Sequence, residues 1–99
     1  NLGILLDLGH LKVTSHWLNF DKYEFIEQIK EKTFGIHIHD NDGKSDMHSQ
    51  LEKTSWCLQV ISRKCFKNVP IILETTNLTI EQIIQQIKLI ENALNNNAD

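Results

Sequence analysis

Long hydrophobic runs are missing from this 99-residue chain. None approaches the roughly 18 apolar residues that a membrane span needs, and no charged-then-apolar leader opens the sequence. A cytoplasmic protein with no membrane partner is the expectation. A basic excess is missing too: ten Lys and Arg stand against thirteen Asp and Glu, a net charge of -3 with His neutral. Lys30, Lys32, Lys44, Lys53, Arg63, Lys64 and Lys67 are scattered among acids, so this segment has no basic face for binding nucleic acid regardless of sequence. Cysteine occurs twice, which rules out a thiolate-rich structural zinc site. Placed on one helix, Cys57 and Cys65 would be roughly 12 Å apart along its axis, too far for a disulfide. They read as small apolar residues on a buried stripe. Proline occurs once, at Pro70, where it opens an apolar run and its missing N–H costs least.

What is there is a regular alternation. Leu2 to Leu6 is an apolar run with one glycine, the pattern of a strand covered on both faces, and Asp7 ends it. A polar stretch with Thr14, Ser15, His16 and Trp17 follows. A helix then starts with Asp21 as N-cap, Glu24 three residues on, and Phe20 and Phe25 placed to staple the entry; Tyr23, Phe25, Ile26 and Ile29 form its apolar side. Phe34 to His39 reads as a second strand in which Ile36 and Ile38 face helices while His37 and His39 face the other way. After an Asn41-Asp42-Gly43 turn, a helix is expected over Leu51 to Phe66 with Trp56, Cys57, Val60, Ile61 and Cys65 buried. Ile71 to Glu74 is the third strand. The last helix carries a capping box, Thr79 with Gln82, a staple, Leu78 with Ile83, and an apolar stripe of Ile80, Ile83, Ile84, Ile87, Ile90 and Leu94; Asn95 to Asp99 is a polar, frayed end.

Strand then helix, three times over, predicts an α/β fold with a parallel sheet. Repeats of about 30 to 37 residues suit a (β/α)8 barrel, in which catalytic groups sit at the carboxyl ends of the strands. Three units cannot close such a barrel, so residues 1–99 are expected to be the C-terminal segment of a single barrel domain, with self-association or a separate N-terminal half as possible partners. An open three-stranded sandwich is the alternative.

Each of the three apolar runs ends in residue types that bind divalent metals. Asp7 and His10 follow the first, the run from His37 to His48 follows the second, and Glu74 ends the third. Imidazole and carboxylate together suit Zn, Mn, Fe or Co. Asp7, His37 and Glu74 would converge on one centre at the strand tips, and His10, Asp46 and His48 on a second, a pair able to clamp a phosphoryl group or activate water. His39 and Asp40 are expected to orient ligands by hydrogen bonds rather than to ligate. His16 and Trp17 are candidates for shaping a substrate pocket, or for plain surface packing.

These residues resemble the C-terminal part of the xylose-isomerase-like barrel superfamily, which includes sugar isomerases and epimerases and the apurinic endonucleases. The likeness is carried by D-L-G-H at Asp7 to His10, H-I-H-D-N-D-G at His37 to Gly43, D-M-H at Asp46 to His48 and I-I-L-E at Ile71 to Glu74, in the family's order. It implies that Asp7, His37 and Glu74 match three of the four ligands of the isomerases' single metal site, and that His10, Asp46 and His48 match a second set in the endonuclease branch. The chain departs from the pattern where Ser49-Gln50-Leu51-Glu52 replaces the glycine-rich segment that commonly follows D-x-H.

Two enzyme readings follow. In the first, a metal-dependent isomerase or epimerase of a sugar or sugar phosphate, Glu74 moves the proton next to the carbonyl and His10 contacts the substrate. In the alternative, a multi-metal phosphodiesterase of the apurinic endonuclease type acts on DNA, and both ligand sets hold ions. A non-catalytic fragment serving as an interaction module is the third reading.

Overall fold

The computed structural model describes residues 1–95, so the polar end expected over 95–99 lies, from Asn96 on, outside the described residues. Strands β1 (Ile4–Asp7), β2 (Thr33–Ile38) and β3 (Ile71–Leu73) form one parallel sheet in the order β1-β2-β3. Around them run helices α1 (Leu8–Leu18), α2 (Lys22–Ile29), α3 (Trp56–Ile61) and α4 (Ile80–Asn95), with short 3-10 turns at Lys30–Lys32 and Lys64–Phe66. The fold is α/β with an open three-stranded sheet. No helix among the described residues is long and apolar enough to cross a membrane.

Pairing sets the two faces. Leu6, Ile36 and Ile71 stand side by side, as do Ile38 and Leu73 one step on, and this face packs under the helices with Leu8, Leu11, Ile26, Cys57, Leu58, Val60, Ile61 and Phe66. The alternate residues lie on the other face: Leu5 beside Gly35, then Asp7, His37 and Ile72 in one row. Leu5 is 59% exposed there and Ile72 47%. One irregularity precedes that row, because Ile4 pairs with Thr33 but Leu5 pairs with Gly35. Phe34 is the extra residue; it is exposed, and its ring occupies the space above Gly3, where an added Cβ would lie 2.2 Å from Cδ2.

Three elements depart from the sequence reading. The polar stretch around Thr14 to Trp17 belongs to a helix, α1, that begins directly behind β1; Asp7 Oδ1 accepts a hydrogen bond from the His10 backbone N–H at 2.8 Å and so caps it. Only Leu8 and Leu11, one turn apart, supply large apolar side chains to its buried side, too short a stripe to stand out by period. The helix expected over Leu51 to Phe66 is much shorter. Ser55 holds Asp40 and the Glu52 N–H instead of capping, and Arg63, with extended backbone, ends any continuation. Cys65 is therefore exposed in a 3-10 turn, whereas Cys57 is fully buried as expected.

Helix α4 starts with the expected reciprocal capping box: Thr79 N–H donates to Gln82 Oε1 at 2.9 Å and Gln82 N–H donates to Thr79 Oγ1 at 3.2 Å. Its isoleucine row, however, is not the buried side. Ile80, Ile83, Ile84 and Ile87 are between 39% and 77% exposed, and Ile90 alone of the row is buried. The inward side is Gln86, Ile90 and Ala93, because the Gln86 amide accepts from Leu51 N–H at 2.6 Å and donates to Leu51 O at 3.1 Å. These two bonds turn the helix.

Candidate metal centre

Six side chains nominated by the sequence, Asp7, His10, His37, Asp46, His48 and Glu74, come together at the carboxyl end of the sheet, in two adjacent groups. Asp7, His37 and Glu74 form one, His10, Asp46 and His48 with the addition of His39 the other, and within each group one ligand atom per residue lies within 4.8 Å of all the rest. Either group could hold a divalent metal.

The first group is built by strand register. Asp7 and His37 are direct neighbours across β1 and β2, and Glu74 follows β3, its N–H donating to Ile38 O at 2.9 Å. His37 Nδ1 lies 2.9 Å from Glu74 Oε1. All three are partly buried, on the face that the helices leave open. Two carboxylates and one imidazole make a hard, oxygen-rich set suited to Zn, Mn, Fe or Co.

The second group is built by helix α1 and the loop between β2 and α3. His10, in the first turn of α1, has Nδ1 2.9 Å from Asp7 Oδ2 and Nε2 2.9 Å from Asp46 Oδ2. His48 Nε2 lies 3.0 Å from Asp46 Oδ1. Its Nδ1 meets the Glu74 carbonyl oxygen at 2.7 Å, the backbone anchor that orients ligating imidazoles in metal sites. That bond, with the charges of Asp46 and Glu74, raises the His48 pKa against the opposing effect of burial. Burial pulls the Asp46 pKa upward, but the His10 hydrogen bond and the nearby His10, His48 and His39 rings prevail and hold it below the usual carboxylate range. Asp46 thus remains an acceptor. His48 also adopts φ 50, a left-handed backbone uncommon for a non-glycine residue, as do Asn19, Asn68 and Asn77.

His39 is the residue whose position the sequence reading misjudged. Strand β2 ends at Ile38, so His39 leaves the alternation and passes under α1, where it is 0% exposed. Its ring stacks on that of His48, centroids 3.8 Å apart and planes 11° from parallel, and meets His10 edge-on at 5.2 Å. A Cβ at Gly9 would fall 2.0 to 2.3 Å from its atoms, which is why glycine stands there. The clue was present in the sequence as the glycine preceding His10.

Asp40 points elsewhere. Its carboxylate takes Lys12 Nζ at 3.0 Å and Ser55 Oγ at 2.5 Å, and its backbone pairs with Ser49 in both directions at 2.9 and 2.7 Å. Burial raises its pKa, but the Ser55, Asn41 N–H and Lys12 contacts outweigh it and the net shift is downward. Asp40 therefore fixes the loop rather than touching a ligand. The segment that replaces the glycine-rich pattern is held by this Asp40–Ser49 bridge and by Gln86 on Leu51. Asn41 Nδ2 adds a buried bond to Gly9 O at 2.9 Å. His16 and Trp17 stack edge to face at the exposed end of α1, with Trp17 Nε1–H donating to Lys44 O at 2.6 Å.

No protein-family model matches the chain, and no solved structure matches it. Among curated proteins it is similar to apurinic-apyrimidinic endonuclease 1 of Plasmodium berghei (strain Anka), at 25% identity over 103 residues. The alignment covers 89% of this chain and 20% of that protein, so the chain spans about a fifth of the length of the relative it matches.

Proposed function

We propose that this chain supplies part of the active site of a metal-dependent phosphodiesterase that acts on DNA at abasic sites, as strand–helix units of a (β/α)8 barrel. One observation carries the reading: the Asp7 carboxylate belongs to one ligand group and reaches the other, 2.9 Å from His10 Nδ1 and 3.2 Å from His39 Nε2. A carboxylate between two ligand sets suits neighbouring cations. The isomerase reading needs an ion only at Asp7, His37 and Glu74 and gives His10 a substrate contact, but it leaves the convergence of Asp46 and His48 on His10 without a task, so it ranks second. The similarity to an endonuclease supports the same order.

The donor sets fit the ions. Two neighbouring divalent cations would supply positive charge for the phosphodiester oxygens and Lewis acidity toward water. The chain's own residues do the holding: Asp7, His37 and Glu74 in one set, His10, Asp46 and His48 in the other, with the Glu74 carbonyl fixing the His48 ring so that Nε2 turns inward. Phosphate contacts away from the centre come from the cleft where His16, Lys22 and Lys44 lie beside one acid, Asp42, and beside Lys12, whose ammonium is held by Asp40 and the Asn41 carbonyl.

The test is metal analysis of the full-length protein together with cleavage of a duplex oligonucleotide containing one abasic site. At least two ions per active site and metal-dependent incision next to the lesion are expected. A single ion per complete active site, with proton exchange between solvent and a ketose, would move the assignment to the isomerase.

A further inference from the structure

We infer that His39 is a positioning residue for the His10, Asp46 and His48 group: its buried ring, lying flat on that of His48, fixes the plane in which His48 Nε2 is presented, and it holds no ion itself. This rests on the multi-ion reading and assigns His39 a role within it. An imidazole nitrogen offers its lone pair in the plane of the ring, so a tilted ring misses an ion even where the nitrogen is close enough. The Glu74 carbonyl meets His48 Nδ1 at 2.7 Å, which pins one point of the ring and leaves its tilt about that point unopposed. His39 supplies the opposition, with centroids 3.8 Å apart and planes 11° from parallel. Its own lone pairs lie in a separate, nearly parallel plane, so the two rings cannot both aim at one ion. The stack that suits His39 to positioning thus unsuits it to sharing an ion with His48.

The supporting ring is itself held by packing. His39 is 0% exposed, and Gly9 approaches so closely that a Cβ there would lie 2.0 to 2.3 Å from the ring atoms. Neither ring nitrogen has a hydrogen-bond partner among the described residues, and Nε2, 3.2 Å from Asp7 Oδ1, makes no hydrogen bond to it. Orientation therefore passes through the face of the ring and not through its nitrogens. His10 lies edge-on to His39 at 5.2 Å and to His48 at 5.6 Å, so the buried ring meets both imidazoles of the group. His48 comes from the loop between β2 and α3, where a ligand depends on such support more than one at a strand tip does.

The experiment uses full-length protein labelled with 13C at histidine Cε1. It reads the mobility of the His48 ring by relaxation without metal and then, with Zn2+ added, the ions retained per chain against a competing chelator. Wild type is expected to show a rigid His48 ring and to retain an ion at each group. His39→Leu keeps bulk but has no flat face; it is expected to mobilise the His48 ring in the metal-free protein. It should also weaken the ion at His10, Asp46 and His48 by ~10–100-fold, the usual cost of losing an outer support, and leave the ion at Asp7, His37 and Glu74 as it was. His39→Asn, whose amide is flat, should recover most of both losses. Near-ultraviolet circular dichroism checks folding, and His39→Ala, which cannot overpack against Gly9, takes the place of His39→Leu if that variant does not fold. If His48 stays rigid and both ions are held with wild-type affinity without the flat face, or if His39→Asn loses as much as His39→Leu, the inference falls while the multi-ion reading stands. If wild type takes up one ion only, the multi-ion reading falls and the inference with it.

Discussion

A methyl group at Gly9 would lie 2.0 Å from Cε1 of His39, far closer than van der Waals contact with the imidazole allows. Alanine for glycine within a helix ordinarily gains up to about 1 kcal/mol. Here Gly9→Ala is expected to destabilise by about 1–3 kcal/mol, the range for overpacking a tight site, in urea unfolding followed by circular dichroism. In a His39→Ala background the same change should cost little. Equal cost in both backgrounds would show that the ring is not what Gly9 accommodates.

Asp7 joins two tasks that different substitutions separate. Asparagine caps a helix about as well as aspartate, so Asp7→Asn should keep the bond to the His10 N–H and most of the stability while weakening metal binding at the Asp7, His37 and Glu74 group. Asp7→Ala should weaken metal binding and also lose about 1 kcal/mol of stability. Calorimetric metal titration beside thermal unfolding of both variants checks this; equal stability of the two would remove the capping role.

Gln86 holds both backbone groups of Leu51 from inside α4. Gln86→Leu leaves a buried N–H and a buried carbonyl without partners, at about 1–3 kcal/mol each. The expected loss is larger than that from Ile83→Ala on the same helix, since Ile83 is 39% exposed. Faster amide hydrogen exchange at Leu51 in Gln86→Leu would locate the damage.

The two thiols should behave oppositely. Cys65 is exposed and should react with a disulfide reagent in the native protein, while Cys57 reacts only on unfolding, as peptide mapping of the modified sites would show. Burial pushes the Cys57 thiol up to about 12 from an ordinary 9.0. Between those values the unfolded chain loses the proton that the folded chain keeps. The contribution to stability is therefore full below about pH 9 and is lost as pH rises toward about 12. Cys57→Val should flatten that part of the curve.

The capping signals were legible from sequence because they are local. Asp21 accepts from the Tyr23 and Glu24 N–H groups, the Phe20 and Phe25 rings stand 5.8 Å apart, and Thr79 and Gln82 bond reciprocally, all within a few residues. The convergence of the six nominated residues was legible because each ends, or closely follows, an apolar run, and parallel strands bring such ends together. Helix α1 was obscured by its Thr14, Ser15 and His16. The buried side of α4 was misread since periodicity shows which residues are apolar but not which way a distant backbone pair will turn them; Leu51 lies 35 residues from Gln86. His39 was read as continuing the alternation beside His37; it is instead fully buried against Gly9, and nothing in His37-Ile38-His39 marks where the strand stops.

The extra residue in β2 reaches further than its place at the far end of the sheet suggests. Counted on from Ile4 beside Thr33 without interruption, Asp7 would stand next to Ile36, and a carboxylate would be level with a side chain bound for the core. Skipping Phe34 advances β2 by one position and sets Asp7 against His37. The alignment of the row that carries Asp7 and His37 is thus decided at Gly3 and Phe34, at the opposite end of the strands, where an aromatic ring and a missing side chain interlock like a key that sets the phase of everything downstream.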